Sequence, residues 1–339
     1  MRDITTIGSA TFDIFMEGDF NMVTNRATPL GKGIMIPLGE KMSIDDVFST
    51  AGGNAMNAAV TFRRQGLRTA ARIKIGDDVP GLSVIHRLKD EGIESSLVSV
   101  DRKLSTSTSV LLSNKGERTI MNYRGAGGEL SISDIDIRKL KSRWWYISLP
   151  GKAVSMLPAF LRYARQEGIR VALNPSGWHI AHSKKTLLRH LKDVDFLVLN
   201  AGEAAELVGI PFSEEKKVFK ALDALVPGIV AVTDGSRGVI VSDGSYIYKA
   251  GIFKEKKLID RTGAGDAFGS GFVAGLIRKN EECEKGRINP ENIIYAIRLG
   301  TANAASVVER FGGSEGALTK KEFDTNKRWS RLKVVKIEI

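Results

Sequence analysis

Asp260-Arg261-Thr262-Gly263-Ala264-Gly265-Asp266, running straight into Ala267-Phe268-Gly269-Ser270-Gly271-Phe272, decides how this chain is read. Phe268, Phe272, Val273, Leu276 and Ile277 recur at helical spacing, so a helix starts here. Lys257 to Ile259, just before it, read as the end of a strand. A turn of small residues at a helix start leaves backbone N–H groups unpaired, and the helix dipole favours an anion beside them. Asp266 lies among those donors, next to the anion hole formed by Gly263, Ala264 and Gly265. Such a turn suits movement of a phosphoryl group onto a hydroxyl: the N–H groups hold the charge and the carboxylate accepts the proton. The dipole is expected to keep Asp266 ionised at neutral pH. A packing turn with an aspartate cap would use similar residues.

Two other glycine motifs are excluded. The dinucleotide pattern needs a third glycine where Phe268 stands. The Walker loop needs Gly-Lys followed by Ser or Thr, but Gly31-Lys32 and Gly151-Lys152 are followed by Gly33 and Ala153.

Outward from the turn, strand-like runs alternate with helical ones, which predicts an α/β fold with a doubly wound, mostly parallel sheet. Strands are expected at 4–8, 69–75, 144–149, 170–174, 194–199 and 229–233. Helices are expected at 54–65, 79–91, 155–166, 216–225 and 291–309. Asp243-Gly244 between two alternating runs signals a hairpin. Two segments break the alternation, approximately 14–47 and 105–124, the second reading as a hairpin turning at Asn114-Lys115-Gly116-Glu117. Paired in space, they would make a small β lid over the carboxyl ends of the sheet that excludes water. The whole of 1–339 then reads as one domain with an appendage.

The 339 residues include 42% hydrophobic ones, ordinary for a globular core. No apolar run approaches the roughly 20 residues of a membrane span. The start of the chain has no signal-peptide pattern, and the single cysteine, Cys283, fits a cytoplasmic location and reads as incidental. Fifty basic against 39 acidic residues give +11, yet the basic residues are scattered, so a nucleic-acid partner is not expected. His179 and His182 lack a further ligand at metal spacing.

Further candidates follow strand ends. Asp13, after the first strand, is placed to accept hydrogen bonds from vicinal hydroxyls. Gly52-Gly53-Asn54-Ala55-Met56-Asn57 opens a helix, its glycines permitting close backbone approach and its asparagines sharing a face. Asn200 and Glu203, at a strand-to-helix junction, suit a hydrated magnesium ion held through water, although a capping box has the same spacing. Thr233-Asp234-Gly235-Ser236-Arg237-Gly238 has the character of a turn around nucleotide phosphates, or of any tight turn. Arg124 is placed to read a carboxylate or phosphate on the acceptor. Phe12, Phe15 and Tyr123 could instead line a slot for a nucleobase.

In this order, Gly52-Gly53-x-x-x-Asn57, Gly76-Asp77-Asp78, Asn200-x-x-Glu203, Thr233 to Gly238 and Thr262 to Phe268 resemble the ribokinase-like (PfkB) family of sugar and nucleoside kinases across nearly the whole chain. The resemblance implies a β lid, ATP as donor and Mg²⁺. It implies Asp266 as catalytic base, with Asp13, Gly53 and Asn57 on acceptor hydroxyls. Asn200, Thr233, Gly235, Gly238 and Asn303 would then serve the nucleotide, and Glu203 the magnesium. It also implies K⁺ beside the turn, at Asp260 and Thr262, although Arg261 replaces the family's usual small hydroxyl residue there. Asn54 stands where ribokinases carry lysine, and Ser148 near where they carry an acid, which argues against a strict ribose kinase. A sugar kinase is the leading reading. A ribonucleoside kinase and a non-catalytic sensor on the same fold are its rivals, and a homodimer paired through the lid is the expected assembly.

Overall fold

The computed structural model describes residues 1–28, 31–114, 117–279 and 289–338. Cys283 and the turn residues Lys115 and Gly116 lie outside them. The main sheet has nine strands in the order Val334–Glu338, Tyr246–Ala250, Val239–Ser242, Ile229–Thr233, Phe196–Asn200, Arg170–Leu173, Ser142–Ser148, Arg2–Gly8 and Thr69–Arg72. The last six of these pair in parallel, and the first three are antiparallel additions.

The central strands are apolar on both faces because each face is covered by helices. Trp144 and Tyr146 pack with Phe62, Phe272 and Ile297 on one side. The alternate residues, Trp145 and Ile147, pack with Phe160, Leu161 and Leu187 on the other. Among the described residues, no helix is long and apolar enough to cross a membrane.

From Arg2–Gly8 the chain winds to the edge strand Thr69–Arg72, then returns past its start to Ser142–Ser148. The winding direction therefore reverses between Arg2–Gly8 and Ser142–Ser148, and the crevice at their carboxyl ends is where such sheets bind ligands. The two irregular segments do pair: Glu117–Tyr123, Thr108–Asn114, Thr11–Glu17 and Asp46–Gly52 form a separate four-stranded sheet. A short hairpin, Met22–Thr24 with Lys32–Ile34, extends from it.

Several expectations need correction. Residues 257–259 are not a strand; the N–H groups of Ile259 and Asp260 bond the carbonyl of Val308 at the end of a helix, at 2.9 and 3.3 Å. The run 69–75 divides, because Lys74–Gly76 leaves the main sheet to pair with Ser99–Asp101. The helix Gly177–His190 was not anticipated, its periodicity being interrupted by a kink at Ser183.

Candidate active site

The helix after the glycine turn spans Ala264–Lys279 and is buried over most of its length, which fixes its first turn against the sheet. Gly263 has φ 76°, and a Cβ there would run into the backbone of Gly313. Only glycine allows the loop this close approach. Gly313, a position without a sequence expectation, packs directly against Gly263. Gly313 in turn leaves room for the side chain of Asn57.

Asp266 is 9% exposed. Its Oδ2 accepts from Asn57 Nδ2 at 3.1 Å, and its Oδ1 accepts from Asn174 Nδ2 at 3.2 Å. Burial pushes its pKa up to about 6; the two amide donors oppose this, and the nearby charges of Glu203 and Asp13 reinforce it. Loss of water thus raises the pKa despite the helix N-terminus, yet leaves the carboxylate ionised at neutral pH, as expected. Asn174 also donates to the hydroxyl of Tyr146, at 3.3 Å. It follows the strand Arg170–Leu173, and the strand-end logic that selected Asp13 would have found it too.

Three cavities meet at this turn. The first, about 310 Å³, is lined by Asp13, Gly53, Asn54, Asn57, Ser107, Ser109, Asn122, Arg124, Ser148, Thr262, Gly263 and Asp266. The second, about 220 Å³, shares Asn54, Gly263 and Asp266 with the first and adds Asn174, Asn200, Glu203, Thr233, Arg261, Ala264 and Gly265. The third, about 420 Å³, shares Thr233, Arg261, Ala264 and Gly265 with the second. It adds Gly235, Gly238, Ile252, Phe253, Leu258, Thr301, Ala304 and Val308, a largely apolar slot. A larger surface hollow lies at the opposite ends of the strands, by Trp144, Arg170 and Tyr246, and lacks these features.

Most of the expected residues thus converge. Asp13 is 5% exposed and tucked against Gly52, where any side chain would collide with its carboxylate. Burial raises its pKa, against hydrogen bonds from Thr11 and Ser109. Gly53 (φ 92°) begins the helix Asn54–Arg64, packed against the backbone of Ser9 and Ala10. Asn54 Nδ2 donates to Ser148 Oγ at 3.1 Å, so these two side chains meet as a neutral pair.

Arg124 lines the first cavity, and no hydrogen bond or ion pair reaches its guanidinium among the described residues. Its backbone is held by the Ser107 hydroxyl, which donates to its carbonyl. Buried His179, its pKa lowered by burial, bonds the Gly151 carbonyl at 3.1 Å beneath it. Phe12, Phe15 and Tyr123 do not line this cavity. Phe15 packs with Phe48 and Phe311 instead.

Asn200 and Glu203 form a capping box, each side chain bonded to the other's backbone N–H at 2.9 Å. Glu203 still faces the second cavity, and burial raises its pKa. One carboxylate there suits a magnesium ion that keeps most of its waters.

Asn303 does not line the cleft. It is fully buried, bonded to Thr61 Oγ1, the Ala267 carbonyl and the Leu318 N–H at 3.1, 2.9 and 2.8 Å. Its helix neighbours Thr301, Ala304 and Ala305 line the slot instead.

At the expected potassium position the two oxygens of Asp260 differ, and Oδ2 is buried without a hydrogen-bond partner. Asp260 Oδ1 already accepts from the Thr262 N–H (3.0 Å), the Thr262 hydroxyl (2.9 Å) and Nη1 of Arg118 (3.2 Å).

The pfkB family carbohydrate kinase model matches residues 18–320. The chain is 27% identical to the ribokinase of Haemophilus influenzae, over 84% of this chain and 89% of that protein. It is 26% identical to the 5-dehydro-2-deoxygluconokinase of Shouchella clausii, over 80% and 84%. The structure of ribokinase from Giardia lamblia superposes with a TM-score of 0.79 at 21% identity, covering 95% of this chain and 97% of that one. With a family model spanning most of its length, the chain belongs to the pfkB family of carbohydrate kinases.

Proposed function

We propose that this protein transfers the γ-phosphate of ATP to a hydroxyl of a sugar or sugar-like alcohol, with Asp266 as base. The observation that carries this reading is the position of Asp266 between the first two cavities, on a Gly263–Gly265 turn that also borders the third. In this reading the first cavity takes the acceptor, the second the transferring phosphate, and the apolar third the adenine end of ATP. Thr233, Gly235 and Gly238 flank the nucleotide.

The acceptor oxygen forms its bond to the γ-phosphorus while its proton passes to an Asp266 oxygen. The bond from that phosphorus to the β–γ bridging oxygen breaks, and ADP leaves. Backbone N–H groups at the start of the helix stabilise the charge on the transferring group. Asn57 and Asn174 hold the carboxylate in line. Magnesium would neutralise phosphate charge from the side of Asn200 and Glu203.

The first cavity is lined by hydroxyls, amides and the carboxylates of Asp13 and Asp266, which suits a polyol better than a nucleobase. Asp13 would take two acceptor hydroxyls, and Arg124 an acceptor carboxylate or phosphate; one relative's name specifies a sugar-acid derivative as its substrate. The four-stranded sheet would act as a lid. Its hairpin and the residues that follow expose Met22, Met35, Ile36 and Leu38, apolar side chains on which a second copy would pair. Light scattering tests that dimer.

The deciding experiment measures ADP release from Mg·ATP with neutral sugars, sugar acids, sugar phosphates and ribonucleosides. One sugar-class acceptor turning over far faster than the rest supports the reading. A ribonucleoside preferred over every sugar, or no turnover despite ATP binding, overturns it.

A further inference from the structure

We propose that Arg118 supplies the positive charge of the catalytic loop in place of a monovalent cation, so that this enzyme works without potassium. The inference rests on the kinase reading. It concerns the loop Asp260–Gly263, one residue of which is a buried carboxylate: Asp260 is 8% exposed. A buried carboxylate needs a counter-charge, and the cost of leaving one alone is high.

Arg118 meets that need from the small sheet. It lies on the strand Glu117–Tyr123, across from Ser113, and its Nη1 reaches Asp260 Oδ1 at 3.2 Å over a sequence separation of 142 residues. The same oxygen receives the N–H and hydroxyl of Thr262, so the charge of Arg118 bears on the residue immediately before Gly263. Arg261, also in this loop, lines the second and third cavities and makes no ion pair with Asp260 among the described residues.

The other carboxylate oxygen of Asp260, Oδ2, is buried without a hydrogen-bond partner. With Arg118 in place it adds one lone acceptor to an already balanced charge. With Arg118 removed, Oδ2 and the place its Nη1 leaves at Oδ1 become available to a small cation from solution. The substitution is therefore expected to create a cation requirement that the natural protein lacks. Arg118 is a positioning residue in this scheme, acting on the turn through Asp260. The pair also fastens the small sheet to the turn.

The test compares the full-length protein with Arg118→Met and Arg118→Lys in potassium chloride and in N-methylglucamine chloride of equal ionic strength. ADP release and the thermal midpoint are read in both salts. The wild type and Arg118→Lys should respond to the exchange of salts by less than about two-fold in rate, as expected for a charge that stays in place. Arg118→Met should lose about ten-fold or more without potassium, the effect of leaving the buried Asp260 carboxylate without its counter-charge. Potassium, sodium or rubidium should restore most of that loss, and its midpoint alone should rise with the added ion.

A wild-type rate that climbs more than about two-fold with potassium overturns the proposal, since a resident charge leaves nothing for the ion to supply. An Arg118→Met protein that is indifferent to the substitution, or whose loss no cation reverses, also overturns it. Should no acceptor turn over, the kinase reading fails separately. The midpoints still decide the charge question, cation-sensitive in Arg118→Met and insensitive in the wild type if the proposal holds.

Discussion

Asn57 Nδ2 and Asp266 Oδ2 lie 3.1 Å apart, although 209 residues separate them in the chain. The amide donates to the carboxylate and favours its ionised form, against the burial that disfavours it. Asn174 does the same from the other side at 3.2 Å. The two amides set both the direction in which the carboxylate points and the pH at which it can take a proton.

The pH dependence follows. With the Asp266 pKa raised to about 6, the base is ionised above that pH and protonated below it. The kcat/KM profile should therefore fall on the acid side near pH 6, with unit slope. Removing a donor destabilises the anion, so Asn174→Ala and Asn57→Ala should each move this limb to higher pH. A limb that stays in place in both variants would show that another group titrates.

Asp266→Asn keeps the size of the side chain and removes the base. Turnover should drop by about 10²–10⁴-fold, the usual contribution of a positioned general base. ATP affinity, read by calorimetry, should stay close to that of the wild type. Near-normal turnover would exclude this residue from the chemistry.

Arg124→Ala tests acceptor recognition. A lost charge-assisted contact is worth about 1.5–3 kcal/mol, so kcat/KM for an acceptor carrying a carboxylate or phosphate should fall about 10- to 100-fold. The change should lie mainly in KM. Equal losses for charged and neutral acceptors would argue that Arg124 only supports the fold.

Gly263→Ala forces a side chain into a positive-φ position against the Gly313 backbone. The strain should cost about 1–3 kcal/mol, visible as a lower denaturant midpoint, and should displace the anion hole enough to impair turnover. An unchanged midpoint and rate would show that the loop can relax.

Asn303→Ala separates packing from nucleotide binding. Each buried group left unpaired should cost about 1–3 kcal/mol of stability. The KM for ATP of the folded protein should stay unchanged, because Thr301, Ala304 and Ala305 line the slot instead. A selective rise in that KM would return Asn303 to the nucleotide site.

Much of this was legible because the chemistry is concentrated at strand ends and helix starts. Gly53, Asn57, Asn200, Thr233 and Asp266 each end a strand or open a helix, where local composition signals a turn, and Asp13, on a strand of the small sheet, comes soon after the first strand. Residues 257–259 misled because their backbone bonds go to Val308 at a helix end, which no local pattern records. Arg118 was invisible for a similar reason. Nothing near it announces a partner 142 residues away. Asn303 was the opposite case: the resemblance assigned it to the nucleotide, but three internal partners satisfy it.

The run of three cavities with shared walls has a consequence for ligand design. A single molecule joining a polyol head, an oligophosphate bridge and a purine could thread all three at once. Tethering would then turn the second and third contacts into intramolecular events, with avidity beyond that of either fragment. The best bridge length would measure, in solution, the span from the floor of the acceptor cavity to the apolar slot.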